Sequence, residues 1–373
     1  MRGGLQNSRI RFDRDKIGRV AFLGGSITYN TGWRDSICSY LEKRFPDTEF
    51  EFISAGIPSM GTTPAAFRLE RDVLAYGNID LLFEEAAVND ETNGRSNEEQ
   101  IKAMEGIVRH LRNSNSAIDI VMMHFVDPAK MKIYREGREP MVIKNHNKVA
   151  EHYNIPTINL AKEVTERIDN GEFNWKDDFK NLHPSPFGQG IYANSMIQFL
   201  NNAFYGHIDN NEQIRAHNLP EKLDQFCYDN GSLIKISSVK LTKGWHFDPL
   251  WKPEDNTGVR SNFVNVPMLI SDKIGSTLQM KFEGNSIGIV VAAGHDAGII
   301  EYRINKNAWQ ELNLFTSWSK NIHLPWYYTL ANELTQNMNE LEIRISKDKD
   351  EQSNGHACRI RYFFVNRPDY FTR

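Results

Sequence analysis

Short apolar runs alternate with amphipathic stretches through the first half of the chain. The runs Val20–Leu23, Phe50–Ile53, Asp80–Phe83, Ile118–Phe125 and Pro156–Leu160 read as strands buried on both faces. Between them helices are predicted over Trp33–Arg44, Thr63–Tyr76, a stretch opening at Ser96, Val142–His152 and Pro186–Asn202. The stretch after Ser96 has the clearest period. Ile101, Met104, Ile107, Val108 and Leu111 fall on one face, and Ser96 with Glu99 makes a capping-box pair. Ser185 and Pro186 supply an N-cap and a first-turn proline for the last helix. Strand–helix alternation with short connections predicts a parallel sheet covered by helices, with functional residues at the carboxyl ends of its strands.

Past about residue 205 the texture changes. Asp209-Asn210-Asn211-Glu212 reads as a linker. Beyond it come runs with partial two-residue alternation, among them Leu278–Phe282, Ile299–Ile304, Leu341–Ile345 and Ile360–Val365, separated by turn residues. That pattern predicts an antiparallel β-sandwich or jelly roll. The expected division is an α/β domain over 1–206 and a β domain over 207–373.

Composition narrows the function classes. At 373 residues the chain is long enough for two domains, and its net charge of -4 gives no basic footprint for nucleic acid. No apolar run approaches the roughly 18 residues that span a bilayer, and Met1-Arg2-Gly3-Gly4 lacks the apolar core of a signal peptide. The compartment stays open: cytoplasmic as the sequence stands, secreted or periplasmic if a leader has been removed. Three widely spaced cysteines, Cys38, Cys227 and Cys358, imply no disulfide framework. No His, Cys or Asp pair has zinc or calcium spacing, so neither a metal nor a cofactor is expected.

The candidate chemistry begins at Ser26, in Gly24-Gly25-Ser26-Ile27-Thr28, directly after the first apolar run. A serine on a glycine-flanked strand-to-helix turn is where an α/β enzyme exposes a nucleophile. Ala87-Val88-Asn89-Asp90 closes the third run, and His183-Pro184-Ser185 precedes the last helix. Serine, amide and imidazole are the parts of an acyl-transfer site: nucleophile, oxyanion donor and general base. Taken singly, each has an ordinary reading as a turn or surface residue.

These blocks resemble the SGNH hydrolases, or GDSL esterases and lipases. The nucleophile block is Gly24–Thr28, with Gly where the family usually has Asp. The block whose glycine N–H enters the oxyanion hole is Ser54-Ala55-Gly56-Ile57-Pro58-Ser59. The Asn-Asp block is Ala87–Asp90, with Ala for the usual Gly, and the His block is Lys180-Asn181-Leu182-His183-Pro184. The likeness spans roughly residues 18–203. It implies a flavodoxin-like three-layer α/β fold, Ser26 as nucleophile, His183 as base, and an oxyanion hole from Ser26, Gly56 and Asn89. Thr28, Asn30 and Asp90 are expected to support the loop.

One departure stands out. The family's catalytic Asp lies three residues before the His, where this chain has Lys180. Lysine cannot accept the imidazole N–H. Asp177 or Asp178 can take its place through a longer loop, a backbone carbonyl can hold the ring, or the site is repurposed.

Other residues are weighed against plainer roles. His124 and Asp127 line the pocket or pack structurally; Arg68, Glu70 and Arg71 are expected on a solvated helix face. Trp245, Trp251, Trp318 and Trp326 form either a sugar-stacking surface or core. An SGNH domain followed by a β-sandwich resembles bacterial carbohydrate esterases. With polar Tyr29, Asn30, Thr31, Arg34, Asn93 and Arg95 beside the site, the expectation is a serine esterase acting on O-acetyl groups of carbohydrate. The partner is then a small-molecule or polysaccharide ester. The rivals are a lipase, lysophospholipase or thioesterase, and a non-catalytic glycan-binding protein.

Overall fold

The structure, a computed structural model, describes residues 2–209, 211–239, 244–255, 257–335 and 338–367. The chain divides into two compact units, Met1–Asp229 and Asn230–Arg373. In the first, β1 (Ile17–Gly24), β2 (Glu49–Gly56), β3 (Leu81–Glu85), β4 (Asp119–Met123) and β5 (Thr157–Ile158) form one sheet in the order β2-β1-β3-β4-β5. Every pairing in it is parallel. Val20, Ala21, Phe22 and Leu23 are all fully buried, so helices cover both faces, as the continuous apolar run requires. On one face Phe22 and Phe83 stack, with Trp33 edge-on to both. The order reverses between β1 and β3, and there Gly24 is in register with Gly56 on one side and Glu85 on the other. Three strands thus end at one level, at the switch point where doubly wound sheets hold their ligands.

Element boundaries differ from the sequence pattern where local capping wins. The fifth apolar run holds only a two-residue strand, because Asn159 accepts the Lys162 N–H and starts the helix Leu160–Asp169. Asp127 and Pro128 likewise open an unforeseen helix, Pro128–Arg135. The helix expected over Thr63–Tyr76 runs Thr62–Asp72 and then tightens into a 3-10 turn.

The first unit extends beyond the composition shift. His217 Nε2 lies 2.8 Å from Asp119 Oδ1, Arg109 and Arg112 donate to the carbonyls of Pro220 and Asn218, and Glu105 accepts the N–H groups of Leu223 and Asp224. The residues read as a linker belong to this surface too: Arg14 donates to the Glu212 carbonyl. Asn210 lies outside the described residues.

The second unit contains two sheets. β10 (Thr277–Glu283), β12 (Ile299–Ile304), β13 (Gln310–Asn313) and β15 (Met338–Ile345) form one, in the order β10-β15-β12-β13. The other runs β7-β9-β16-β11-β14-β8, with β6 also on β16. Its strands are β6 (Gly231–Lys235), β7 (His246–Trp251), β8 (Gly258–Val259), β9 (Val266–Ser271), β11 (Ser286–Ala293), β14 (Ile322–Ala331) and β16 (Cys358–Asn366). All pairings are antiparallel except the two-residue contact of β14 with β8. Leu278, Ile300 and Ile343 from one sheet share a core with Ile289, Leu324 and Phe363 from the other, which makes the unit a β-sandwich. Trp245, Trp251 and Trp326 are buried, while Trp318 is exposed. None of the three cysteines is in a disulfide, and burial pushes the Cys38 and Cys358 thiols up to about 12. Among the described residues no helix is long and apolar enough to cross a membrane.

Candidate active site

β1 ends at Gly24, and the chain turns at Gly25 into a one-turn helix, Ser26–Tyr29. Bonds from neighbouring residues hold this turn. Tyr29 N–H donates to Gly25 O (3.0 Å), Asn30 N–H to Ser26 O (3.0 Å), Arg34 Nη1 to Thr28 O (2.9 Å) and the Trp33 indole to Ile27 O (3.3 Å). From beneath, Arg68 donates to the Gly24 carbonyl at 3.2 Å and pairs with Asp72. Arg68 is therefore buried under the loop, contrary to the solvated face expected for it. Its alternating helix neighbours Glu70 and Arg71 are solvent-exposed.

Two glycines let neighbouring loops close on this turn. A Cβ added at Gly25 would lie 1.9 Å from Asn89 Oδ1, so the Asn89 side chain sits against the backbone preceding Ser26. Asn89 comes from the short helix Ala87–Thr92 that follows β3. A Cβ at Gly56 would lie 2.5 Å from Tyr29 N, so the end of β2 nests on the same turn. Behind Asn89, buried Asp90 accepts the Thr62 N–H (2.8 Å), the Thr62 hydroxyl (2.7 Å) and a bond from His146 (3.0 Å). That is the supporting role expected of it.

His183 arrives from the loop before the helix Pro186–Ala203. Its Nε2 is 2.7 Å from Ser26 Oγ, and its backbone N–H donates to Asn181 Oδ1 at 2.7 Å. Ser185 caps the helix, as its position predicts. One turn on, Gln189 Oε1 accepts the Trp33 N–H at 3.2 Å. The helix behind His183 is thereby tied to the helix behind Ser26. Upstream, Asp178 Oδ2 accepts the Asn174 N–H (2.8 Å) and Asn174 Oδ1 accepts the Asp177 N–H (2.6 Å). Among the described residues neither carboxylate is hydrogen-bonded to the His183 ring. Lys180 closes this segment with a φ of 78°, a left-handed turn.

The sheet beneath the site is charged but buried. Glu85, at the end of β3, accepts the Val88 N–H, and burial raises its carboxyl to about 7 despite Lys130 nearby. Glu84 beside it is also pushed well up, first by burial and then by the Glu85 charge. Lys130 is buried against Asp127 and Glu91, each at 2.5 Å. Asp127 caps a helix and His124 packs fully buried beside His146, the packing role weighed for His124. Burial lowers the His124 imidazole to about 3.

A serine hydroxyl bonded to an imidazole, with an amide and a glycine backbone beside it at the end of a parallel sheet, is the geometry of a serine hydrolase. Residues 22–191, within the first unit, match the family model described as GDSL-like Lipase/Acylhydrolase. No sequence among the curated proteins matches the chain. Two solved structures resemble it over both units. One is a two-domain esterase active on acetylated mannans, co-crystallized with mannopentaose. Its TM-score is 0.77 at 19% identity, covering 99% of this chain and 96% of that one. The second is a two-domain esterase active on acetylated mannans, with a TM-score of 0.74 at 20% identity, covering 95% and 92%.

Proposed function

We propose that this protein is a serine esterase that removes acetyl groups from carbohydrate. The observation that carries the reading is the 2.7 Å contact between Ser26 Oγ and His183 Nε2. His183 takes the serine proton as Oγ attacks the ester carbonyl. The oxyanion is met by the backbone N–H groups of Ser26 and Gly56 and the Asn89 amide. Collapse of the tetrahedral intermediate releases the sugar hydroxyl, which leaves with the proton from His183. Water then attacks the acetyl-serine by the same route, and acetate departs.

Asp177 is the proposed orienting acid for His183. Its carboxylate is exposed and uncommitted, whereas Asp178 spends one oxygen on the Asn174 N–H. Such bonds are often long in unliganded sites and tighten with substrate. The carbohydrate reading is supported by the exposed Tyr29, Asn30 and Thr31 beside Ser26, which suit a polar leaving group better than a long acyl chain. The activity of the similar two-domain esterase on acetylated mannans supports it further. A chain-length series tests it. Rates on p-nitrophenyl acetate should exceed those on butyrate and octanoate, and acetylated mannan should release acetate. Rates that rise with chain length point instead to a lipase or thioesterase.

A further inference from the structure

Spacing along the chain shows no metal-ligand set, but the second unit brings three distant residues together. Asp255 lies between β7 and β8, His295 in the turn after β11, and His323 near the start of β14. One ligand atom from each lies within 4.8 Å of the others. Asp255 bridges the two rings: Oδ2 is 2.5 Å from His295 Nε2 and Oδ1 is 3.8 Å from His323 Nε2.

His323 is the independent sign of a ligand. It is 1% exposed, and among the described residues both of its ring nitrogens lack a hydrogen-bond partner. Leaving a buried polar group unmet is unfavourable, because it loses its bonds to water without replacement. The packing holds the ring in place without satisfying it. Trp251 meets it edge-on at 5.4 Å, and a Cβ at Gly294 would lie 2.2 Å from its Nδ1. The other two residues are also oriented. Thr257 N–H donates to Asp255 Oδ1 (2.9 Å), and the Asn354 amide meets His295 Nδ1 (3.3 Å). With the Asn354 amide turned so that its oxygen faces Nδ1, that nitrogen donates its proton to an acceptor, the support that metal-binding imidazoles use.

We infer that Asp255, His295 and His323 form a binding site for a divalent transition cation of the zinc class. Tetrahedral zinc with bonds of about 2.0–2.1 Å sets its ligand atoms about 3.3 Å apart. The 2.5 and 3.8 Å separations bracket that spacing, and rotation of the exposed Asp255 carboxylate evens them. His295 binds through Nε2 with its proton moved to Nδ1, so both rings coordinate neutral. Two imidazoles with one carboxylate favour zinc, nickel or copper over calcium and magnesium. Asp296 does not compete, since its carboxylate is held by Arg359 at 2.8 and 2.5 Å. Three protein ligands leave the fourth position to water or to an oxygen of a bound molecule.

The test uses the full chain, stripped with a chelator and titrated with zinc chloride by calorimetry, with Tm followed in parallel. One equivalent should bind and raise Tm. Asp255→Asn and His295→Ala, chosen because neither residue is buried, should each weaken zinc at least tenfold and abolish the rise. His207→Ala, on an exposed histidine of the first unit, should change neither. Calcium chloride should produce no rise. The inference is overturned if zinc fails to bind, if both site variants bind it like wild type, or if calcium raises Tm as zinc does.

Discussion

Gly25 and Asn89 are in contact across the switch point of the sheet: a single added carbon at Gly25 would overlap the Asn89 side chain at 1.9 Å from Oδ1. The residue before the nucleophile therefore sets where the amide stands. Glycine at this position, where the resembling family usually has Asp, follows from that approach rather than from any need for a positive φ.

Gly25→Ala should displace Asn89 and lower kcat on p-nitrophenyl acetate by at least about tenfold, with little change in Tm. Asn89→Ala should cost about 10²–10³ in kcat, the usual loss for one oxyanion donor. The double variant should be little worse than Asn89→Ala alone, because both remove one interaction. Additive losses would separate Gly25 from Asn89.

Asp177→Asn and Asp178→Asn divide the question of the third catalytic member. If Asp177 orients His183, its amide variant should lose about 10⁴ in kcat. Asp178→Asn should cost far less, acting only through the Asn174 contact. The reverse ranking assigns the role to Asp178, and two mild losses assign it to neither.

Glu85 ties stability to pH. Its folded carboxyl is raised to about 7, so between the ordinary glutamate value of 4.5 and about 7 the folded state binds the proton that the unfolded state has lost. Its contribution is complete below that window and is lost as pH rises through it, at about 1.4 kcal/mol per unit. Glu84 acts in the same direction. Denaturant unfolding of Glu85→Gln should therefore show a flatter profile than wild type across this window, and higher stability above neutrality. An unchanged slope would remove Glu85 from the account.

The tryptophans of the second unit should separate by role. Trp326→Ala, in the shared core, should destabilise by about 3–5 kcal/mol. Exposed Trp318→Ala should stay within about 0.5 kcal/mol. A loss of polysaccharide affinity with Trp318→Ala at unchanged stability would identify it as a sugar contact.

The fold and the Ser26–His183 pair were legible because each rests on local signals. Val20–Leu23 reads as a buried strand, glycines flank Ser26, and Ser185-Pro186 starts the helix after His183. The helices after Asp127 and Asn159 carried cap signals of the same kind, and these compete with the apolar runs around them. Arg68 was misplaced because helical spacing says nothing about what lies above a helix, here the Gly24 carbonyl. Where the first unit ends was hidden for a similar reason. Residues 211–229 have no regular period and are held by side chains such as Glu105 and Asp119, far back in the chain. Asp255, His295 and His323 meet only through the register of β-strands, which no spacing rule reports.

The central claim is that Ser26 is the nucleophile, and the most direct measurement is acetate release by wild type and Ser26→Ala in parallel, on p-nitrophenyl acetate and on acetylated mannan. Turnover by wild type that falls to background in a folded Ser26→Ala is the predicted result. Equal rates from both proteins, or no release by wild type on either substrate, would contradict it.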